Sequence, residues 1–413
     1  MVTHTSQMPY YDFESDARLL ASTKGKDFIS TAVAENVLLL KPLQEGFGRL
    51  RRVEEADIMY GDSYGTAALR DSVAALLNQT LGLVGDLRLG GAHVSGFAST
   101  RAALAHAIAP IVGQEKNPSF LLPTPCWHGF TWVLKDYFRQ RGGCGEGHII
   151  PVDRLPGDGF RLTLKMIQDA YHAANPKPLA LALTNPDNPL GNNLDPEILR
   201  TIVDWVLDAT PMHLVSDEIY MHSQTRTAQP MFKSVLQLKI DPRHLHRVHV
   251  VWGFAKDFGL SGFRIGVYLN RDERVHDKPR QTAQWSPFDT WNSLALSAVI
   301  GADGGGGFNL MRTTYANALD NAWSMVKGAL EKGGIPHFGG SNAALFFWLD
   351  LRDWLKLGGE GAIRHHLNWK GVDVAPGTDL RCVEPGFFRF CYTGHPPDVT
   401  VEAVHRIANA LKP

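Results

Sequence analysis

Val250-Val251-Trp252-Gly253-Phe254-Ala255-Lys256-Asp257-Phe258-Gly259-Leu260-Ser261-Gly262-Phe263-Arg264-Ile265-Gly266 decides how the rest of the chain is read. An apolar, strand-like run ends in small residues, presents one lysine, and returns at Arg264 beside a glycine. Any one lysine is by default a solvated surface residue. Here the flanking Gly-Phe-Ala and the following arginine point instead to a lysine held at the exit of a buried strand.

Outward from that stretch, short apolar runs alternate with helical patterns from about Tyr60 to Trp291. His93-Val94-Ser95 precedes a helix from Thr100, and Phe120-Leu121-Leu122 precedes one from Gly129. Leu179 to Leu183, His213-Leu214-Val215 and Val248 to Trp252 are further strand-like runs. Such alternation predicts an α/β fold with a mainly parallel sheet covered on both faces. Reactive groups then lie just past the strand ends.

Beyond Trp291 the pattern changes. Ala302 to Gly307 reads as a flexible joint. A long helix follows, carrying Tyr315, Leu319, Ala322, Val326 and Leu330 on one stripe, and Gly333-Gly334 stop it. The tail mixes strands (Ala344 to Leu349, Phe387 to Cys391) with helices (Glu360 to Asn368, Val401 to Leu411), as a smaller α+β domain would. The expected division is an N-terminal arm with part of the small domain over 1–55, a large domain over 56–295 and a C-terminal small domain over 296–413.

The 413 residues are 44% hydrophobic and 20% charged, with a net charge of −1. That balance fits a globular enzyme and gives no overall attraction to nucleic acid or an anionic membrane. Cys126, Cys144, Cys382 and Cys391 are scattered, so neither a disulfide framework nor a zinc site is expected. Residues 1–20 carry acids and tyrosines rather than an export signal. No run approaches the ~20 apolar residues of a membrane span. A cytoplasmic protein is the expectation. His244 with His246, and adjacent His365-His366, suggest no third ligand and read as solvated, so no metal is expected. No GxGxxG follows a predicted strand, which argues against a nicotinamide site.

Three further segments supply what pyridoxal 5'-phosphate requires, and a fourth suits a substrate carboxylate. Its aldehyde needs an amine, which Lys256 provides. Its ring nitrogen needs a carboxylate, and Ser216-Asp217-Glu218-Ile219-Tyr220 sets Asp217 at a buried strand end. The competing role for Asp217 is a helix N-cap. Its phenolic oxygen needs neutral donors, for which Tyr220 and Asn188 are candidates. Asn188 lies in Asn185-Pro186-Asp187-Asn188-Pro189-Leu190-Gly191, which would otherwise be a plain turn. Its phosphate needs helix-start amides and a cation. Ser95-Gly96-Phe97-Ala98-Ser99-Thr100 and Arg264 fit, although Thr100 alone is equally well an N-cap. A substrate carboxylate needs a forked donor, and Glu384-Pro385-Gly386-Phe387-Phe388-Arg389 buries an arginine in an apolar strand. An ion pair between Arg389 and Glu384 is the alternative.

Taken in order, these segments resemble the class I/II aminotransferase group of pyridoxal phosphate enzymes, over about residues 30–410. Within it the chain looks most like the 1-aminocyclopropane-1-carboxylate (ACC) synthase branch, through Ala34-Glu35-Asn36, Pro123-Thr124-Pro125, Asp257 and Glu384 to Arg389. The resemblance implies fold type I: a large domain with a mainly parallel seven-stranded sheet sandwiched by helices, plus a smaller α+β domain. It implies that Lys256 is the Schiff-base lysine, Asp217 the ring-nitrogen partner, and Tyr220 and Asn188 the phenolic-oxygen donors. Phe97, Ala98, Ser99 and Arg264 would hold phosphate, Arg389 the substrate carboxylate, and Glu35 would lie near substrate. It also implies a homodimer with shared sites.

The chain departs from the branch at several walls. The aromatic stacked on the cofactor ring is replaced by Cys126, leaving Trp127 or His128 to cover it. A hydroxyl residue expected shortly before the lysine is Gly253. A tyrosine lent by the partner subunit aligns with Ser63, near Tyr60 and Tyr64, and an arginine aligns with Trp132. The expected chemistry is proton removal from an α-amino acid by Lys256, then elimination, substitution or ring closure on S-adenosylmethionine or a related compound. Transamination to a 2-oxo acid is the rival outcome. A non-catalytic regulator of the same fold is disfavoured, because the first 55 residues hold no basic DNA-binding helix.

Overall fold

The computed structural model describes residues 24, 27–47, 61–113, 115, 118–140, 148–301 and 306–412. Much of the arm, Tyr60, Cys144 and residues 302–305 of the expected joint lie outside the described residues.

A seven-stranded sheet forms the centre. In chain order its strands are β2 (Val94–Phe97), β3 (Ser119–Thr124), β4 (His148–Asp153), β5 (Ala180–Thr184), β6 (His213–Asp217), β7 (Val248–Gly253) and β8 (Gly266–Leu269), after a short β1 (Ile29–Ser30) in the arm. Their spatial order is β2-β8-β7-β6-β5-β3-β4. β7, β6, β5, β3 and β4 pair in parallel, and only β8 runs against its neighbours.

Side chains of a strand alternate between faces, and the core splits accordingly. Leu121, Leu181, Leu214, Val250 and Trp252 belong to one apolar cluster. Phe120, Leu122, Ala180, Ala182, Val215 and Val251 belong to another. The first is covered by helices α2 (Ala67–Leu81) and α6 (Pro196–Ala209). The second is covered by α3 (Thr100–Val112) and α4 (Gly129–Gln140). The remaining helices named here are α1 (Leu40–Phe47), α5 (Leu164–Ala173), α7 (Thr290–Ile300), α8 (Gly306–Lys332), α9 (Glu360–Trp369) and α10 (Pro397–Ala410). Because both faces are buried, these strands read as continuous apolar runs rather than as alternating ones.

The expected stripe of α8 is buried throughout, from Tyr315 to Leu330. At about 1.5–3 kcal/mol for each large side chain, that stripe alone anchors the helix. The helix begins at Gly306, so the last two glycines of the expected joint already belong to it. A second sheet, β11 (Ala375–Pro376), β12 (Phe387–Cys391) and β9 (Phe346–Asp350), is antiparallel. β1 pairs in parallel with β10 (Val372–Asp373), which ties the arm to this C-terminal part.

Gly191 joins the two sheets. Its φ is +70°, and a Cβ there would stand 2.4 Å from the Phe346 carbonyl oxygen. Its own carbonyl accepts from Asn342 and Ala343 at 2.8 Å. Only glycine supplies both that backbone angle and that approach. The Asn188 loop is thereby pressed against β9. Among the described residues, no helix is long and apolar enough to cross a membrane.

Candidate active site

The parallel strands deliver their loops to one edge of the sheet. There a cavity of about 220 Å³ is lined by Lys256, Asp217, Tyr220, Asn188, Arg264 and Arg389, with Ser99, Trp127 and Glu35. Phe97 and Ala98 are not on its wall. Phe97 is fully buried with its ring stacked on His106 at 4.4 Å, and Ala98 N donates to the Ser286 carbonyl at 3.4 Å. The strand's alternation turns the Phe97 ring into the core, which a loop reading of that segment overlooks.

Lys256 sits on a single helical turn, Phe254–Asp257, directly after β7. Its Nζ donates to the Ala34 carbonyl at 2.5 Å, so the arm closes over the lysine. Asn36 Nδ2 donates to the Lys256 carbonyl at 2.8 Å. Glu35 is fastened in turn by Ser261, whose Oγ donates to its carboxylate at 2.9 Å.

Asp217 ends β6, and no helix follows it, so a helix N-cap role does not arise. Its carboxylate accepts from Ile219 N at 3.3 Å. Among the described residues no ion pair engages it, and burial pushes its pKa up to about 7. Glu218 and Asp257 are likewise buried and pushed up to about 7, chiefly by burial. Carboxyl groups in an unfolded chain titrate near 4. Between about pH 4 and pH 7 the folded protein therefore keeps protons that the unfolded chain has released. The contribution of these acids to stability should fall as pH rises through that window, by about 1.4 kcal/mol per pH unit for each such proton, while the buried histidines His106, His213, His222 and His276, whose pKa burial lowers, contribute in the opposite direction. The urea midpoint of cofactor-free Asp217→Asn, taken relative to wild type, should therefore climb from pH 5 to pH 7; a difference independent of pH would mean that this acid is ionised and compensated.

Asn188 is the hinge of the polar wall. Its Nδ2 lies 3.4 Å from the Tyr220 hydroxyl, and its Oδ1 accepts from Arg389 at 2.8 Å. Arg389 is 1% exposed, donates also to the Ala32 carbonyl at 2.9 Å and lies over the Phe346 ring at 4.7 Å. The alternative pairing with Glu384 does not form, because Glu384 bonds Arg352 at 2.5 Å. Arg264 is exposed and has a left-handed φ of +57°, a costly backbone for a non-glycine residue.

At the start of α3 the capping role falls to Ser99, whose Oγ accepts from Ala102 N at 3.0 Å. Thr100 lines the cavity, and its hydroxyl oxygen is buried with no hydrogen-bond partner among the described residues. Gly253 and Gly266 face each other across β7 and β8. A Cβ on Gly266 would stand 2.2 Å from Thr100 N, and one on Gly253 2.4 Å from the Thr100 hydroxyl. The glycine pair lets the helix start sink onto the sheet. Trp127 lines the cavity while His128 meets Trp132 edge-on at 4.0 Å, so Trp127 is the better placed of the two to cover a bound ring.

Arg101 and Trp132 are wall residues that the motifs did not single out as a pair. The Arg101 guanidinium lies 5.2 Å from the Trp132 ring centre. The available signal was position: Arg101 follows the phosphate loop directly. A larger cavity of about 510 Å³ lies beyond Asn188, beside the Arg154–Asp187 pair, and contains neither Lys256 nor Asp217.

This donor set fits pyridoxal 5'-phosphate. A buried acid with no ion-pair partner among the described residues suits a protonated ring nitrogen, and a glycine-cradled helix start with a nearby arginine suits a phosphate. Fold and site together define an α/β enzyme of fold type I that works with that cofactor.

Comparison with known proteins narrows the class. The family model for aminotransferase class I and II matches residues 50–407, and the chain belongs to that family. It is similar to the ACC synthase of Glycine max, with 28% identity over 97% of this chain and 82% of that one. It is similar to the ACC synthase of Vigna radiata var. radiata, with 30% identity over 81% of this chain and 89% of that one. In three dimensions it superposes on an aspartate aminotransferase of Thermus thermophilus with a TM-score of 0.75 at 18% identity, covering 97% and 95% of the two chains. An aromatic aminotransferase of Pyrococcus horikoshii gives 0.73 at 20% identity, covering 96% and 98%.

Proposed function

We propose that this protein removes the α-proton of an amino acid and carries the product on to elimination, substitution or ring closure, as an ACC synthase-like lyase. The observation that carries the reading is the meeting of Lys256 and the uncompensated acid Asp217 in one cavity. When bound, pyridoxal phosphate supplies an electron sink for the carbon that loses the proton. Lys256 Nζ is the base at that carbon. Asp217 holds the proton of the ring nitrogen, and Tyr220 and Asn188 donate to the phenolic oxygen. Ser99, the α3 amides and Arg264 take the phosphate, Trp127 covers the ring, and Arg389 receives the substrate carboxylate. Glu35 faces the substrate from the arm, where it would favour a cationic group such as a sulfonium.

The division at about residues 55 and 295 belongs to the same proposal, with the arm and the C-terminal sheet closing on the large domain. So do a homodimer and a cytoplasmic location. Aminotransfer is the second reading, favoured by Ser63 and Trp132, which align where the branch carries a tyrosine and an arginine.

The purified protein, loaded with cofactor, should be offered S-adenosylmethionine, amino acids with and without leaving groups, and a 2-oxo acid. ACC, or a 2-oxo acid with ammonia, supports the lyase. Amino-group exchange alone supports the aminotransferase. No turnover of any amino acid sinks both. In the same assays Arg389→Lys should raise KM about 10- to 100-fold with kcat little changed, since a lysine loses the two-pronged carboxylate grip. Unchanged KM would remove Arg389 from the substrate site.

A further inference from the structure

Asp257 follows Lys256 on the same helical turn but does not line the cavity. It is fully buried, and its carboxylate takes three donors from two separate segments. Trp252 Nε1 on β7 donates at 2.8 Å, His222 N at 3.1 Å and Ser223 Oγ at 2.7 Å. Ser223 Oγ also lies 2.7 Å from the Tyr315 hydroxyl on α8. With its proton given to Asp257, Ser223 accepts from Tyr315. Asn36 of the arm completes the circuit. It meets the Tyr315 hydroxyl and donates to the carbonyls of Lys256 at 2.8 Å and Asp257 at 3.4 Å.

A purely packing role is a poor explanation for this arrangement. Among the described residues no ion pair offsets the acid, and a neutral group of the same shape would be cheaper to bury. What the carboxylate does accomplish is geometric. It fixes the backbone of the turn from which Lys256 extends, using the strand before it, the turn after β6 and the long C-terminal helix. The arm grips the same turn through Asn36. Lys256 is then free only at its side chain, which here reaches Ala34.

We infer that the Asp257–Ser223–Tyr315–Asn36 circuit is a positioning device that ties closure of the arm and of α8 to the aim of Lys256. It rests on the proposed role of Lys256 as the base. A base misplaced by about 1 Å can lose about 100-fold in rate even when nothing has moved at the substrate itself.

The test follows the lysine's step alone. Cofactor-loaded wild type, Asp257→Asn, Ser223→Ala, Tyr315→Phe and the Ser223→Ala/Tyr315→Phe double variant are incubated with L-alanine in D₂O. Loss of the Cα–H signal is followed by NMR, and cofactor affinity and Tm are measured in parallel. Asp257→Asn should slow exchange about 10- to 100-fold while cofactor affinity stays within about threefold. Each of the other single variants should slow it less, and the double variant should be no slower than the worse single, because both cut one chain. Variants that lower Tm yet exchange within about twofold of wild type would overturn the inference and leave the site reading intact. A wild type that exchanges neither L-alanine nor the other amino acids offered would instead sink the site reading itself.

Discussion

Replacing Lys256 by alanine should abolish turnover, by about 10⁴-fold or more, and leave the fold in place. General-base removal costs about 10²- to 10⁴-fold, and loss of a covalent attachment point adds to that. Lys256 is the one lysine on the cavity wall among the described residues, so no neighbour can substitute for it. Its aliphatic stem leaves the helical turn toward Ala34, and the turn itself is held by other groups: Phe258 N donates to the Phe254 carbonyl at 3.2 Å, and Asn36 grips the Lys256 carbonyl. Truncation at Cβ therefore removes the amine without removing the scaffold. Two measurements check this. After borohydride treatment the wild-type chain should gain the mass of one reduced cofactor, while Lys256→Ala should gain none. Added methylamine should restore a small part of the α-proton exchange in the variant, since a diffusible base can enter the space left. A variant that is still labelled by borohydride would reassign the covalent lysine.

How much of this was open to reading in the chain depends on the range of the forces involved. β12 was expected over Phe387 to Cys391 and occupies those residues, because a buried strand announces itself by composition alone. The stripe of α8 was visible for the same reason. The start of α10 was missed by four residues: Pro397 opens the helix ahead of Val401, as proline is suited to do at a first helical position. Thr100 and Ser99 are both good capping residues, and composition could not divide the work between them; the glycine pair on β7 and β8 does. Glu384 was the sequence neighbour of Arg389, but Arg352, far away in the chain, takes it. The Asp257 circuit was invisible because its partners come from the arm, from the turn after β6 and from α8. Local pattern names residue types at strand ends, whereas it takes the folded sheet to decide which of them face one another.

Asp217→Asn should produce two effects of opposite sign, and their combination is more telling than either alone. Without cofactor, the wild-type acid is buried, has no ion-pair partner among the described residues, and titrates near 7 because burial penalises its charge. Asparagine keeps the shape and removes the charge. Above pH 7 the cofactor-free variant should therefore be the more stable protein, by on the order of 1–4 kcal/mol. The advantage should shrink toward pH 4, where the wild-type acid is protonated as well. With cofactor, the sign reverses. The carboxylate would face the ring nitrogen and keep its proton in place, and an amide cannot balance that charge. Turnover should fall about 10³-fold, a loss of roughly 4 kcal/mol in the barrier. The Tm gained on adding cofactor should shrink too, since the cofactor no longer relieves a buried charge. A packing residue would show neither the stabilised cofactor-free protein nor the reversal. If the variant is destabilised in both states and its turnover stays within about tenfold of wild type, Asp217 is a structural acid and the site must be rebuilt around another carboxylate.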